Sequence, residues 1–190
     1  MRRGILNVKQ ATEIHFSKLL KEWEGFNDTL PMTQWIEEAE DFIFEGEKDE
    51  EDYISWKPLK KDVKSNVEDI QKELKVHLHL SMKAYYNCYW FLEVAGNYNG
   101  YDLVLNPVIP GIALKDFKHE TGLYKEAHND QLFNIPIGIE ANGLLLVVDN
   151  KSGEVKLEDY ERNLFEIISK NLSKLIEDLQ VCLKIVFLLK

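Results

Sequence analysis

Apolar side chains at Phe16, Leu19, Leu20 and Trp23 fall at i, i+3, i+4 and i+7, so four bulky groups share one face of a helix that Gly25 is expected to end. Further on, Val63, Val67, Ile70, Leu74 and Leu78 step by 4, 3, 4 and 4, a second amphipathic helix with Asp62 or Ser65 as its N-cap. From Tyr85 the pattern turns aromatic and β-favouring through Tyr86, Tyr89, Trp90, Phe91 and Val94. It reaches Gly96-Asn97-Tyr98-Asn99-Gly100 and resumes over Tyr101 to Leu105, which predicts a hairpin. Leu114 to Gln131 has mixed helical character, weakened by Gly122. Two apolar runs, Ile135 to Glu140 and Leu144 to Val148, are joined by Ala141-Asn142-Gly143, and the turn at Asn150-Lys151-Ser152-Gly153 leads into Glu154 to Leu157. Short strands linked by tight turns predict an antiparallel meander. Leu164, Ile168, Leu172, Leu175 and Leu179 step by 4, 4, 3 and 4, which predicts a long closing helix. The class is therefore α+β, a mainly antiparallel sheet backed by helices.

A chain of 190 residues with 45% hydrophobic content has apolar material for one core, so residues 1–190 are read as a single domain. No Gly/Ser or Pro tract marks a linker. Met1-Arg2-Arg3 is basic, but Lys9 and Glu13 interrupt any apolar run behind it, so the start does not read as a secretory signal and a cytoplasmic location is expected. Cys88 and Cys182 form no metal or redox spacing and are read as buried thiols. Residues 180–190 form an apolar C-terminal extension too short to span a bilayer, which needs about 20 residues. Packing on the domain or on a second copy of the chain, as in a homodimer, is the plain reading; peripheral contact with the inner face of the cell membrane is the sharper one.

Charge changes this picture. Between Glu37 and Asp52, ten of sixteen residues are Asp or Glu and only Lys48 is basic, so nearly all of the formal net charge of −10 sits in one segment. Phe42, Ile43, Phe44, Tyr53, Ile54 and Trp56 lie within and just after it, aromatic content that a disordered acidic tail lacks. The segment, residues 37–52, is read as an acidic surface pinned to a folded body, with a basic protein as partner and no direct contact with nucleic acid. Glu38, Asp41, Glu45, Glu47, Asp49, Glu50, Glu51 and Asp52 are the candidate electrostatic contacts, with Tyr53 and Trp56 as anchors. A merely solubilising loop accounts for the charge equally well, and core packing for Trp56.

Motifs for chemistry are lacking. The sequence has no Gly-rich phosphate loop, serine elbow or paired-glycine dinucleotide fingerprint. His77 and His79, placed in a helix, point about 200° apart and make a poor metal pair. His119 and His128 are read as surface residues. Solvated, mutually close carboxylates are not the buried pair that acid/base catalysis requires. The expectation is a binding protein with no catalytic residues, no metal and no cofactor.

Several short features carry a resemblance. Trp56-Lys57-Pro58 follows a Tyr/Ile segment, Ala95-Gly96-Asn97 precedes Tyr101-Asp102, and Asp116-Phe117 opens a helix. Ile135-Pro136-Ile137 enters a strand, and Ser152-Gly153-Glu154-Val155 precedes the final stretch. In this order, from the first helix to Leu179, they resemble the Syd branch of the SUKH superfamily. Two departures stand out: Asn97 occupies a place where that branch has an acidic residue, and the chain runs beyond Leu179. The resemblance implies a small α+β fold with a concave, often acidic protein-binding face and no catalytic residues. It also implies one of two partners: the basic cytoplasmic loops of the SecY translocon for the Syd branch, or, as for many SUKH immunity proteins, a secreted toxin, often a basic nuclease. Toxin neutralisation is the first reading, and translocon binding the second.

Overall fold

The computed structural model describes residues 7–181, and the expectations for Cys182 and for the extension beyond Val181 lie outside them. Helix α1, Val8–Asn27, begins at a reciprocal cap in which the Gln10 amide donates to Asn7 Oδ1 (3.0 Å) and the Asn7 amide donates to Gln10 Oε1 (3.2 Å). It runs through Gly25 and stops at Asp28, whose φ of 53° turns the chain and whose amide donates to the Glu24 carbonyl. Gly25 thus does not end the helix. A helical glycine costs only about 1 kcal/mol, and burial of Phe16, Leu19 and Trp23 on the same helix outweighs it.

Strands β1 (Met32–Gln34), β2 (Phe44–Glu45) and β3 (Tyr53–Trp56) form a small antiparallel sheet in the order β1-β3-β2, with a 3-10 turn at Asp41–Ile43 before β2. β4 (Leu59–Lys60) pairs with β5 (Tyr89–Trp90). Between them the long helix predicted over Val63 to Leu78 is only one piece of the structure. Helix α2 covers Val67–Leu74, Asn66 precedes it, and Lys75 at φ 54° closes it. Neither Asp62 nor Ser65 caps this helix. The Ser65 amide instead donates to Asn87 Oδ1 (2.6 Å), and Val63 is exposed. A further helix, α3 (Leu80–Cys88), replaces the aromatic strand expected there, because Met82, Tyr85, Tyr86 and Cys88 recur at helical spacing and all bury. His77 and His79 lie in the link between the two helices. His79 caps α3, accepting from the Ser81 amide (3.2 Å).

Among the described residues the main sheet contains seven strands, each pair antiparallel, in the order β11 (Leu164–Ser169), β10 (Val155–Asp159), β9 (Leu145–Asp149), β8 (Asn134–Glu140), β7 (Tyr101–Leu105), β6 (Val94–Tyr98) and β12 (Gln180–Val181). β6 (Val94–Tyr98) and β7 (Tyr101–Leu105) make the predicted hairpin, with Asn99 at φ 52° and Gly100 at φ 94° giving the mirror-image turn that suits strand twist. Asn97, the departure from the family pattern, is a staple of this turn: its Nδ2 donates to Asp102 Oδ1 (2.7 Å), and its Oδ1 accepts from the Gly100 amide (3.0 Å). After β7 the chain forms helix α4 (Ala113–Ala127), which tolerates Gly122, and returns as β8 (Asn134–Glu140), β9 (Leu145–Asp149) and β10 (Val155–Asp159). The β8–β9 connection has only Gly143 at positive φ, a three-residue loop rather than a two-residue turn.

The closing helix is half strand. Leu164–Ser169 is the edge strand β11, and only Leu172–Asp178 is helical (α5), capped by Asn171 Oδ1 accepting from the Lys174 amide (2.8 Å). Leu164, Phe165 and Ile167 keep much of their surface, since β10 pairs with their backbone and no helix covers them. α5 then carries the chain back across the sheet to β12 (Gln180–Val181), which pairs with β6 at the opposite edge. A Cβ on Gly96 would lie 2.3 Å from the Gln180 carbonyl oxygen, so β12 seats only against glycine.

The core lies between the sheet and helices α1, α2, α3 and α5, and includes Trp56, Tyr85, Tyr86, Phe91, Leu103, Ile137, Leu146, Leu157, Leu175 and Leu179. The sheet is strongly coiled. Tyr101 Oη on β7 donates to Glu166 Oε1 on β11 (2.7 Å) although β8, β9 and β10 lie between them. Four steps of about 4.8 Å in a flat sheet exceed the reach of the two side chains.

Candidate functional site, an acidic hairpin

The acidic segment runs from the loop before β2 to the first residue before β3, and it is ordered by its own side chains. Asp49 is the staple. Its Oδ1 accepts from the Glu51 amide (2.9 Å) and the Tyr53 amide (2.8 Å), and its own amide donates to the Tyr53 carbonyl (2.8 Å). Asp52 takes φ 62°, a conformation that aspartate tolerates better than most residues, and its carbonyl accepts from the Trp35 amide (2.8 Å). Trp35 stacks on Phe44 with ring centroids 4.6 Å apart. Lys48, the only base in the run, sits 5.1 Å over the Trp35 ring and pairs with Asp52 at 2.8 Å. Aromatic packing thus anchors a loop whose charges alone would drive it apart.

The sequence-predicted residues fall into three groups. Glu38, Asp41, Glu47, Asp49, Glu50, Glu51 and Asp52 are exposed, the last five on the β2–β3 loop, Asp41 on the 3-10 turn and Glu38 before it. Glu45 is half-exposed on β2, where it pairs with Lys57. Tyr53 is half-buried on β3. Trp56 is 1% exposed and packs in the core, so it has no surface to offer a partner and its role is structural. Sequence reasoning missed Trp35, and it noted Phe42, Phe44 and Lys48 as the aromatics and single base of the run without assigning them to the site. Phe42 is 48% exposed among the acids and edge-on to Trp90 at 6.4 Å.

A groove of about 520 Å³ opens elsewhere, between the C-terminal half of α4 and the sheet, with Leu123, Tyr124, His128, Ile139, Leu145 and Tyr160 among its lining residues. Its floor holds a buried network. Glu158 accepts from Tyr124 Oη (2.6 Å) at one carboxylate oxygen and meets His128 Nε2 (2.5 Å) at the other. His128 Nδ1 lies 2.7 Å from the Tyr124 carbonyl, so both ring nitrogens face an oxygen. His128 is therefore no simple surface residue. Burial, then the bond to Glu158, pushes the Tyr124 phenol well above its ordinary range. These polar atoms are turned toward one another, which locks α4 onto β10.

Three other titratable groups are buried. His15 on α1 is fully buried, and burial first, then the charge of Lys18, lowers its pKa from 6.5 to about 4. Lys61 donates to the Tyr86 carbonyl (2.9 Å) at the end of α3 and lies 3.2 Å over the Trp90 ring; burial lowers its pKa to about 8. Cys88 is buried and unpaired, and burial raises its thiol pKa. Among the described residues, no helix is long and apolar enough to cross a membrane.

Known proteins are similar to this chain in sequence. The family model described as Syd protein (SUKH-2) matches residues 9–108, just over half of the chain and the part that carries α1, the acidic hairpin and the β6–β7 turn. Protein Syd of Idiomarina loihiensis is 23% identical over 161 residues, which cover 82% of this chain and 87% of that protein.

Proposed function

The chain belongs to the Syd (SUKH-2) family, and on that premise we propose that it is a non-enzymatic binding factor whose acidic β2–β3 hairpin engages the basic cytoplasmic loops of SecY. The observation that carries this reading is the ordered loop itself. Asp49 and the Trp35–Phe44–Lys48 cluster hold Glu47, Glu50, Glu51 and Asp52 at the surface before any partner arrives. A preorganised charged loop loses little freedom on binding, and its field speeds encounter with a cationic segment. Binding takes place at the cytoplasmic face of the membrane through SecY and not through lipid.

The test is binding to vesicles with and without SecY across a salt series. We expect binding that needs SecY and weakens as salt rises, because screening shortens the reach of the loop's charge. Glu47→Lys, Glu50→Lys and Glu51→Lys together should slow association roughly tenfold and flatten its salt dependence. Equal binding to SecY-free vesicles sinks the proposal. The charge of the loop also admits a second reading, neutralisation of a basic toxin by the same acidic surface. Rescue of cells that express a basic nuclease toxin, abolished by the same triple variant, would replace the SecY reading with this one.

A further inference from the structure

Among the described residues, edge strand β11 leaves an apolar surface uncovered at the end of the main sheet. Leu164 is 60% exposed, Phe165 43% and Ile167 57%, and Tyr160 at 54% and Phe133 at 71% extend the patch. Phe133, Tyr160 and Phe165 line one hollow, so their surfaces are continuous. Phe165 and Ile167 alternate with Glu166, whose carboxylate is taken by Tyr101, and so lie on the face away from that bond. A large aromatic carries about 150–250 Å² of surface, so Phe133, Tyr160, Phe165 and Ile167 together expose several hundred Å², in the range of the largest patch of an ordinary monomer, while Leu164 stands on the opposite face beside Glu166. With the unpaired backbone edge added, this approaches the roughly 800 Å² that each partner contributes to a standard stable interface.

We infer that β11 is the contact by which two copies of this chain pair, edge to edge and antiparallel, into one continuous sheet. Charge favours a second copy here over a cationic partner. Residues 161–170 carry Glu161, Arg162, Glu166 and Lys170, a net charge of zero in a chain of net −10. Two like-charged copies meet at least cost where each is neutral, whereas a basic partner is drawn to the acidic hairpin. Arg162 is paired with Asp159 at 3.6 Å in its own chain. Antiparallel order then brings the Glu161 end of one strand toward the Lys170 end of its mate, twice by symmetry. Between Leu164 and Ser169 the edge carries no proline, and its one charge, Glu166, is taken by Tyr101 of its own chain, so neither blocks a second strand.

Sedimentation of the full chain over a micromolar to millimolar concentration series tests this. The wild type should approach twice the 22.2 kDa chain mass as concentration rises. Ile167→Lys and Phe165→Lys, both at exposed positions, should each raise the dimer dissociation constant at least about 30-fold by burying an unpaired charge at the seam. Leu80→Lys, at a more exposed position on α3, should leave it unchanged. Circular dichroism melts show that each variant is folded. A wild type that stays at 22.2 kDa throughout overturns the inference. So does a dimer that survives both lysine variants, and so does a monomer whose β11 variants instead lose binding to a different protein.

Discussion

His15 makes the stability of this protein depend on pH in a range where few other side chains titrate. Among the described residues neither ring nitrogen meets a partner in hydrogen-bond geometry, and the Leu179 backbone, which favours the charged ring, is outweighed by burial and the charge of Lys18. The folded protein therefore holds the imidazole neutral until about pH 4, while the unfolded chain takes up a proton near 6.5. A folded pKa below the unfolded one means that the contribution is fully present above 6.5 and is lost as pH falls toward 4. At about 1.36 kcal/mol for each pH unit between the two values, the whole loss is roughly 3 kcal/mol, and about 2 kcal/mol of it has gone by pH 5. For a domain of this size, about 2 kcal/mol corresponds to a drop of roughly 4–8 °C in Tm. His15→Leu fills the same apolar site without a titrating group. It should cost under about 1.5 kcal/mol at pH 7, because the ring it replaces makes no bond there. Thermal melts of both proteins at pH 7 and pH 5 should show the wild type falling by roughly 4–8 °C more than the variant. Parallel declines would refute the assignment of this pH dependence to His15.

The groove network should behave as a coupled unit: Glu158→Gln should destabilise by about 2–3 kcal/mol and His128→Ala by less, with a coupling above about 0.5 kcal/mol in a double-mutant cycle read by urea unfolding. Strict additivity would show that the two side chains do not share a bond. Gly96→Val should expel β12, since its Cβ would meet the Gln180 carbonyl. Hydrogen exchange at Gln180 and Val181 should then rise to that of open chain, and retained protection would contradict the close approach. Asp49→Ala removes two bonds to loop amides and should cost about 1–2 kcal/mol. Faster exchange confined to Glu51 and Tyr53 would mark the loss of the staple, and unchanged exchange there would deny it a role in ordering the loop.

Much of this architecture follows from local pattern. The apolar stripe of α1, the Asn-Gly pair of the β6–β7 turn, the β8–β9–β10 meander and the α+β class are short-range matters of period and turn chemistry, which the chain carries within each segment. The acidic run is equally plain, because charge is counted residue by residue. Period fails where two elements share it. Leu164, Ile168 and Leu172 are spaced as on a helix, yet the first two lie on a strand whose backbone β10 captures and the third opens α5. The aromatic stretch at Tyr85 and Tyr86 suits a strand by composition, and burial on two sides of a helix decided otherwise. Long-range contact alone determines that Trp56 is core, that His15 is sealed beneath α5, that Glu158 meets His128, and that β12 closes on Gly96. Burial and pairing are properties of what the folded chain places opposite a residue, and no window of sequence contains its own opposite face.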